Sequence, residues 1–471
     1  MTSLIAIATY LIIKKSDSSS WGFKDLVRDP AYWTKLQEER QDADQAAVAA
    51  QAWDDATIAK QVRHFVLNAP TAREMWSDFK ALQSLGPRVH QPLLDLLRDK
   101  QLYALLVKPT GEDIVPETPF NRACDLLGNT PPKEAVDALA PFLIDASDGI
   151  RKDAARTIAK TGSTEITPYI RRALNDDVEY VRSHTLIGLE SALTANRLND
   201  NVSHDLFPDI KRLLEEGKNA DDATAVLFCL NREAATSFYL SPEVFHAESR
   251  IIHNALRVLA NTRTSVPRGD LLALISSLDV KDIRYPKTYA LSEALRLLGQ
   301  RQNAEDRDKL TSYLDHPENE VARGAGAGLL ASHGLEDFQQ KIWDKEEKSG
   351  IQSLSTDQQY VSAVLVCDGE INNGGFSQYF VNSSGNDWKH ALAGLEAMAS
   401  TERLRLLKEA LAVFGPNGPS EDREKRQHQL SKIYGKNDTI FENLESQYYK
   451  SNEHLDPLIA RFVIAHAESF R

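Results

Sequence analysis

Short helix-forming segments that recur along most of the chain constrain its fold more than any other feature. Several of these segments end in a Leu-rich turn that contains glycine, and the glycines concerned are Gly86, Gly128, Gly162, Gly299 and Gly334. The first three are separated by 42 and then 34 positions, and the last two by 35. Such periods are typical of paired helices that stack into an α-solenoid. Glycine suits a helix end because it adopts the left-handed conformation without a steric penalty.

The clearest single unit lies between Asp148 and Asp177. Its first predicted helix carries small and branched residues on one face, and a second amphipathic helix follows the turn at Gly162. The two faces consist of Ala154, Ala155, Ile158 and Ala159, and of Ile166, Ile170 and Leu174. Because both faces recur at helical spacing, the pattern predicts a pair of closely packed helices.

Similar polar turns precede several of the Ala- or Leu-rich helices. Three examples are Asp148-Gly-Ile-Arg151, Asp176-Asp-Val-Glu-Tyr-Val-Arg182 and Asn319-Glu-Val-Ala-Arg323. These segments resemble HEAT repeats, and the resemblance implies a HEAT-like α-solenoid of helix pairs over residues 60–350. We therefore expect an all-α fold, in which residues 1–59 form an N-terminal helical segment or a cap of the solenoid.

The repeat pattern ends near Lys345–Ser355, a charged stretch with Gly350 that favours a linker. Beyond it the pattern stays helical but loses its period, and Ser355 or Thr356-Asp357 is a predicted helix start. Residues 351–471 are therefore predicted to form a compact all-helical C-terminal domain. Its predicted helices span 357–368, 387–399, 401–413, 420–433, 438–449 and 454–469.

The most distinctive stretch of the chain runs from Gly369 to Gly385, with the sequence GEINNGGFSQYFVNSSG. It resembles the C-terminal domain of the DNA-mimic protein family, a domain of unknown function. The matching positions, which we call the signature, are Asn373-Gly374-Gly375-Phe376, Gln378-Tyr379-Phe380, Asn382 and Ser384-Gly385. The resemblance covers about the last 115 residues and implies an all-α domain.

Two interpretations of this stretch remain open. In the first, the Gly374–Gly375 pair allows a tight turn or close packing, Phe376 and Phe380 are core residues, and the amides satisfy backbone groups. In the second, the polar residues form a pocket or a protein-contact surface. The candidate binding residues are then Asn372, Asn373, Gly374, Gly375, Phe376, Gln378 and Asn382.

Charge restricts the class of partner. The chain has 68 Asp plus Glu against 55 Lys plus Arg, a net charge of -13, and so lacks the cationic surplus that direct nucleic-acid binding needs. A protein partner, and a basic one in particular, fits this charge better. Residues 351–471 hold 16 acidic and 12 basic residues, so the predicted C-terminal domain carries a charge of about -4. The remaining 52 acidic and 43 basic residues lie in residues 1–350, so the N-terminal segment and the repeat array together carry about -9.

Catalytic motifs are missing from the sequence. It contains no phosphate-binding loop, nucleophile elbow, zinc-binding His-Glu helix motif or dinucleotide fingerprint, so we expect no catalytic residue, no metal site and no cofactor. The segment Gly324-Ala-Gly-Ala-Gly328 follows no strand, and close helix packing explains it better than a dinucleotide loop.

The three cysteines, Cys124, Cys229 and Cys367, are widely spaced, which predicts buried free thiols and a reducing, cytoplasmic location.

These observations favour a non-catalytic protein-protein interaction protein, a solenoid scaffold with an appended helical binding domain. Two alternatives stay open: an acidic decoy or immunity-type inhibitor that sequesters a basic toxin or DNA-binding protein, and an enzyme with an unrecognised site near Asn372–Gln378.

The apolar run Leu4–Ile13 is too short to span a membrane. It is predicted to be a core segment or a short buried helix, with a degenerate export or anchor signal as the alternative. The sequence leaves the oligomeric state open.

Overall fold

The computed structural model describes residues 30–68, 76–109 and 117–471, and of residues 30–37 it describes the backbone alone. These residues form 25 α-helices joined by turns and short 3-10 segments, with no β-strand among them. The predicted all-α fold is therefore confirmed. The run Leu4–Ile13 lies outside the described residues, so its interpretation stays a prediction.

By its internal contacts the described chain divides into two compact units, which separate between Tyr239 and Leu240. The helices before this division are α1 (Pro30–Ala50), α2 (Asp55–Asn68), α3 (Trp76–Ser84), α4 (His90–Arg98), α5 (Tyr103–Leu106), α6 (Pro119–Leu127), α7 (Ala135–Leu139), α8 (Asp148–Thr161), α9 (Thr167–Leu174), α10 (Glu179–Thr194), α11 (Asp200–Glu215), α12 (Ala220–Leu230) and α13 (Arg232–Tyr239). This division depends only on which residues contact one another, and it does not test the predicted domain boundaries at residues 60 and 351. Those boundaries therefore stay a prediction.

The second unit contains the remaining helices. They are α14 (Ile252–Asn261), α15 (Arg268–Leu278), α16 (Lys287–Gln300), α17 (Arg307–Ser312), α18 (Asn319–Ser332), α19 (Phe338–Ser349), α20 (Thr356–Val381), α21 (Trp388–Ala397), α22 (Glu402–Ala412), α23 (Arg423–Tyr434), α24 (Glu442–Lys450) and α25 (Leu455–Ala465). Among the residues described, none of these helices is both long enough and apolar enough to cross a membrane.

In the first unit, α8 and α10 lie side by side and α9 packs against both. The two predicted apolar faces are buried, with every one of their seven residues at most 1% exposed. Gly162 ends α8 in the left-handed conformation, with a φ of 62°. Gly188 of α10 lies so close to the Arg156 carbonyl in α8 that a Cβ would overlap it. The predicted helix pair of residues 148–177 is therefore confirmed.

Two arginines at the starts of repeat helices, Arg151 and Arg182, connect their repeat to the next one. Arg151 donates two hydrogen bonds to the Asp176 carboxylate, at 2.8 and 3.0 Å, and a third to the carbonyl of Asp145. Arg182 repeats this arrangement, since its Nε donates to the side chain of Asn219 at 2.8 Å. Two of the three polar turns that resemble HEAT repeats thus hold neighbouring helix pairs in register, because Arg151 and Arg182 each bind two turns at once, whereas Arg323 of the third pairs with Glu320 in its own helix.

The helix end predicted at Gly299 is wrong. Gly299 lies inside α16, and the left-handed residue after that helix is Gln302, with a φ of 54°. Gly299 is needed for packing, since its Cα lies against the backbone of Gly328 in α18 and a Cβ would overlap it. Gly324 and Gly328 also approach α16 closely, Gly324 at Ser292 and Gly328 at the carbonyl of Leu295. The predicted role of the Gly324–Gly328 segment in close helix packing is therefore confirmed.

The predicted linker at Lys345–Ser355 is wrong in its first half. Helix α19 continues to Ser349 and ends at Gly350, whose φ is 75°. The charged residues stay helical because they form the exposed side of α19, and Glu346 also accepts a hydrogen bond from Ser362 at 2.7 Å. The predicted helix start at Ser355 is confirmed, since its side chain caps α20.

Helix α25 continues the packing of the repeat helices within the second unit. It lies beside α18, as α18 lies beside α16. Its contact with α18 is close, because a Cβ on Gly326 would lie 3.4 Å from the Cβ of Ala460. Arg461 also pairs with Asp315 at 2.8 Å. The last helix therefore takes the position that a further repeat helix would occupy.

Candidate functional site: the broken helix of the signature

The signature lies where α20 breaks into two helical segments. Gly374 and Gly375 have non-helical backbone angles, and Gly375 has a φ of 77° with a ψ of -178°. Only glycine adopts that combination without strain. The prediction that this helix ends at residue 368 is wrong, since the first segment continues to Asn373 and a second runs from Phe376 to Val381. The predicted tight turn at the two glycines is observed.

The carboxylate of Glu445 fills the space that the glycine pair leaves open. Its Oε1 accepts a hydrogen bond from the backbone N–H of Phe376 at 3.1 Å. This N–H begins the second segment, and a carboxylate at a helix start stabilises it by hydrogen bonding and by the helix dipole. A Cβ on Gly375 would overlap the same carboxylate. The glycine therefore permits both the backbone angle and the approach of Glu445 from α24.

Glu370 is the polar centre of the site. Its Oε2 accepts hydrogen bonds from the amides of Gln378, at 2.6 Å, and Asn382, at 2.9 Å. Its Oε1 accepts a third from the Ser384 hydroxyl at 3.1 Å. Gln378 and Asn382 share a helical face, as their spacing of four predicts, and the common acceptor explains why both are amides. Glu370 thus fastens the second segment to the first.

The other end of the second segment is held by α23. Arg426 is fully buried and donates to the carbonyls of Phe380, at 2.7 Å, and Asn382, at 2.8 Å. Arg423 donates to the carbonyl of Val381 at 3.1 Å. These bonds satisfy carbonyls that a helix end leaves without partners. Burial lowers the pKa of the Arg426 guanidinium, which still stays charged because an arginine pKa is so high.

The aromatic residues of the signature form the core of the domain, as the first interpretation predicts. Phe376, Tyr379 and Phe380 are at most 1% exposed. Phe380 meets Phe414 edge to face at 4.8 Å between ring centroids. The Tyr379 hydroxyl faces the thiol of Cys367, and burial raises the pKa of both groups. A buried phenol and a buried thiol of this kind stay protonated at neutral pH.

The predicted binding residues do not converge on one point. Gln378 and Asn382 meet at Glu370, whereas Asn372 is exposed and donates to Asp368 at 2.9 Å. Asn373 is exposed as well. Gly374, Gly375 and Phe376 belong to the break and the core described above.

An exposed edge nevertheless remains beside the break. It consists of Asn372 and Asn373 together with Tyr449, which is 53% exposed and donates its hydroxyl hydrogen to the carbonyl of Ile371 at 2.9 Å. A tyrosine that is half exposed and fixed by its hydroxyl group is a common component of protein contacts. We call these three residues the signature edge.

Sequence reasoning missed the two partners that complete the site, Glu445 and Arg426. Each lies more than 40 positions from its contact in the signature. Glu370 was visible as the one acid among the residues 369–385. Its two amide partners are 8 and 12 positions away, beyond the reach of one regular helix, so the contact depends on the break at the glycine pair and has no local signal in the sequence.

The described residues bear on the predictions for metal ligands and thiols in different ways. No group of three His, Cys, Asp or Glu side chains suited to a metal occurs within residues 30–68, 76–109 and 117–471. Cys124, Cys229 and Cys367 are free, and the first and last are buried as predicted. The prediction for Cys229 is wrong, because this residue lies on the exposed face of α12 near its end.

Fold and site together define an all-α protein in which helix-pair repeats precede a helical domain organised around a broken helix. Residues 121–190 match the family model of HEAT repeats, and residues 352–466 match the family model of DMP19-like protein. The chain therefore contains HEAT repeats and a DMP19-like domain, which confirms both resemblances seen in the sequence. A comparison with curated proteins finds no match.

Proposed function

We propose that the protein is a non-catalytic scaffold that binds a protein partner in the cytoplasm. The observation that carries this proposal is that the polar groups around the break bind one another within the fold. Glu370 joins the two segments of α20, and Glu445 and Arg426 hold the two ends of the second segment through hydrogen bonds. A carboxylate used in this way is unavailable as a general acid or base, which needs access to a substrate proton. HEAT repeats and DMP19-like domains are also generally non-catalytic.

The scaffold role is supported by the helix stacks in each unit. Repeat helices that contact only their neighbours present long rows of side chains, and such surfaces bind proteins. The net charge of -13 favours a basic partner. Within the C-terminal domain, the signature edge is the surface beside the break that a partner could contact, since the aromatic residues of the signature are buried and its Gln378, Asn382 and Ser384 are bound to Glu370.

An acidic decoy that imitates DNA is the competing function, and the use of the carboxylates argues against it. Imitation requires exposed carboxylates at phosphate-like spacing. In the C-terminal domain, Glu370 and Glu445 serve the signature, Asp368 accepts from the Tyr448 hydroxyl at 2.6 Å, and Glu453 caps α22. These four carboxylates are part of the internal structure, which leaves fewer acids for a phosphate-like surface.

An enzyme site near Asn372–Gln378 is the other alternative. It would need Gln378 or a neighbouring polar group to be available to a substrate, but the Gln378 amide is held by Glu370 at 2.6 Å. A thermal-shift screen with nucleotides and sugars tests this alternative, because a bound ligand raises the unfolding temperature. A reproducible shift with one ligand class would favour the enzyme over the scaffold.

The proposal is tested by affinity capture with the full-length chain from native lysate, at several salt concentrations, with the amount of each retained protein measured. A scaffold retains at least one protein in stoichiometric amount. Failure to retain any such protein would contradict the proposal. Binding that is tight at low salt and disappears as ionic strength rises would instead favour the decoy, whose contacts are charge pairs.

Two matched variants locate the contact. Asn373→Arg places a bulky cation on the signature edge, and Asn417→Arg makes the same change at an exposed loop residue of the same domain. If the signature edge contacts the partner, Asn373→Arg reduces capture and Asn417→Arg does not. Equal capture by both variants would show that the partner contacts a surface other than the signature edge.

A further inference from the structure

Basic side chains form a row on the exposed side of α8, in the first unit. Lys152, Arg156 and Lys160 are spaced four apart, so they share one face of the helix. Arg197, in the turn after α10, lies beside the end of this row. It donates to the carbonyl of Asn129 at 2.7 Å, and Lys160 donates to the side-chain oxygen of the same asparagine at 3.0 Å. Four half-buried cations therefore lie together.

Two carboxylates lie among these cations and balance only part of their charge. Asp153 is buried and pairs with Lys152 and with Arg156, each at 3.1 Å. Asp125, near the end of α6, pairs with Arg156 at 3.2 Å. Among the described residues, the other two cations bind only carbonyl and amide oxygens. The surface is thus locally positive, in a chain whose net charge is -13.

The basic groups are close enough to repel one another. Burial lowers the pKa of the Lys160 ammonium, and the charges of Arg156 and Arg197 lower it further. Asp125 opposes this shift without cancelling it. A bound anion would offset the repulsion, because an opposite charge a few ångströms away favours the charged form of a group.

Exposed apolar side chains adjoin the cations on α10. Tyr180 is 52% exposed and Ile187 is 40% exposed, and their spacing of seven places them on one face of this helix. The Lys152 ammonium lies 5.2 Å from the centre of the Tyr180 ring, so the apolar face and the row of cations meet. We call the combined surface the α8–α10 face, which consists of Lys152, Arg156, Lys160, Tyr180, Ile187 and Arg197.

We propose that the α8–α10 face binds an acidic segment of a partner protein, with an apolar side chain of that segment packed against Tyr180 and Ile187. The inference goes beyond the proposed function, which assigns no ligand to the first unit. Lys160 and Arg197 offer the segment two cations that pair with no described carboxylate. Ile187 suits a peptide side chain better than a nucleic-acid base, which stacks on flat rings.

The net negative charge of the chain does not prevent such binding. At physiological salt, exposed charges more than about 8 Å apart are largely screened from one another. The groups in direct contact then decide which segment is accepted, and on the α8–α10 face these groups are mainly cations.

The test measures binding of fluorescein-labelled peptides to the full-length chain by fluorescence anisotropy, at about 150 mM salt. The probe is a dodecapeptide of Glu-Glu-Leu repeats, and the control is the matching peptide of Gln-Gln-Leu repeats. The acidic probe is expected to bind, and the neutral control to bind at least about fivefold more weakly, since each exposed ion pair contributes a factor of about 1.5 to 5. Equal binding of the two peptides, or no binding of the acidic one, overturns the proposal.

Two variants predict changes of opposite sign. Lys160→Gln is expected to weaken binding of the acidic probe by about two- to fivefold, because it removes a cation of the face. Asp125→Asn is expected to strengthen binding by a similar factor, because it removes an exposed carboxylate and releases Arg156. Arg172→Gln, at an exposed cation of α9 outside the α8–α10 face, leaves binding unchanged. Weaker binding by Asp125→Asn, or an equal loss in Lys160→Gln and Arg172→Gln, would overturn the proposal.

The apolar contact is tested separately from the charges. Ile187→Ala is expected to weaken binding of the acidic probe by about two- to fivefold, because less apolar surface is buried in the complex. An oligothymidylate with the same charge as the probe is expected to bind more weakly than the peptide. If it binds as tightly, or if Ile187→Ala has no effect, the face attracts polyanions in general and the proposal is overturned. Because the probe is a defined peptide, this result is independent of whether any protein is retained from lysate.

Discussion

At the scale of single residues, two glycines of α20 have distinct structural roles. Gly375 adopts a backbone conformation that other residues avoid, and it leaves room for the Glu445 carboxylate. Gly369, five residues before the break, lies in the regular part of α20 with open space around its Cα. The two positions therefore give a matched comparison between a required and a replaceable glycine.

Substitution of these two glycines should change stability in opposite directions. Gly375→Ala is expected to lower the free energy of unfolding by about 2–4 kcal/mol, from backbone strain and overlap with Glu445. Gly369→Ala is expected to raise it by about 0.5–1 kcal/mol, because alanine has the higher helix propensity. Urea unfolding followed by circular dichroism measures both. A neutral Gly375→Ala would show that the break does not depend on glycine.

Removal of the central carboxylate tests the polar network directly. Glu370→Ala leaves the amides of Gln378 and Asn382 without their acceptor and is expected to cost about 1–3 kcal/mol of unfolding free energy. Asn373→Ala, at an exposed residue, should stay within about 0.5 kcal/mol of the parent chain. A similar loss in both variants would contradict the role assigned to Glu370.

The pH dependence of stability should report on Glu453. Burial acts to raise the pKa of this carboxyl, but hydrogen bonds from Ser400 and from the backbone N–H groups of Thr401, Glu402 and Arg403 outweigh it and hold the pKa below its usual value. A depressed pKa means that the carboxylate stabilises the fold above its unfolded-state pKa. This contribution is lost as the pH falls through the folded-state pKa.

Glu453→Gln should therefore lower the unfolding temperature at pH 7 and flatten its decline between about pH 5 and pH 3. The measurement is thermal unfolding across this range, with Glu396→Gln, a change at an exposed carboxylate, as the control. If the unfolding temperature of Glu453→Gln falls between pH 5 and pH 3 as steeply as that of the parent chain, other carboxylates dominate the loss of stability in acid.

Which residues of the signature share a helical face could be predicted from the sequence, whereas their distant partners could not. The core positions of Phe376 and Phe380 and the shared face of Gln378 and Asn382 follow from helical spacing, which is local. The identity of their partners depends on chain segments far away in sequence, and no local pattern encodes it. For this reason Glu445 and Arg426 emerge only from the structure.

At the scale of elements, six helices were predicted beyond residue 355 and six are observed, while their ends differ. The first of these helices was predicted to end at residue 368, yet it continues to Asn373, and the chain resumes helical geometry after the two glycines because Glu445 caps the new segment. Gly299 was likewise interpreted as a helix end. Its true role is set by the neighbouring helix, which sequence periodicity does not reveal.

Close packing of α16 against α18 is testable at Gly299. Gly299→Ala places a methyl group against the Gly328 backbone, and overpacking of this kind is expected to cost about 1–3 kcal/mol or more. Gly269→Ala, in α15 with open space around it, is the matched control and should be neutral or stabilising. Thermal unfolding compares the two. An unchanged midpoint in Gly299→Ala would mean that the helices separate at little cost.

At the scale of the whole molecule, the sequence predicted the all-α class and both kinds of helical module. Repetition carries the first prediction, since paired helices at a regular period have few other ways to bury their faces. The signature carries the second. The assignment of a partner was beyond the sequence, because net charge limits the class of ligand without naming it.

Binding without chemical change is the central claim, and one measurement tests it most directly. The captured partner is purified, mixed with the full-length chain and analysed by sedimentation velocity and by intact-mass spectrometry before and after incubation. We predict a complex of defined stoichiometry and a partner of unchanged mass. A partner whose mass changes, or one that forms no complex with the purified chain, would contradict the account.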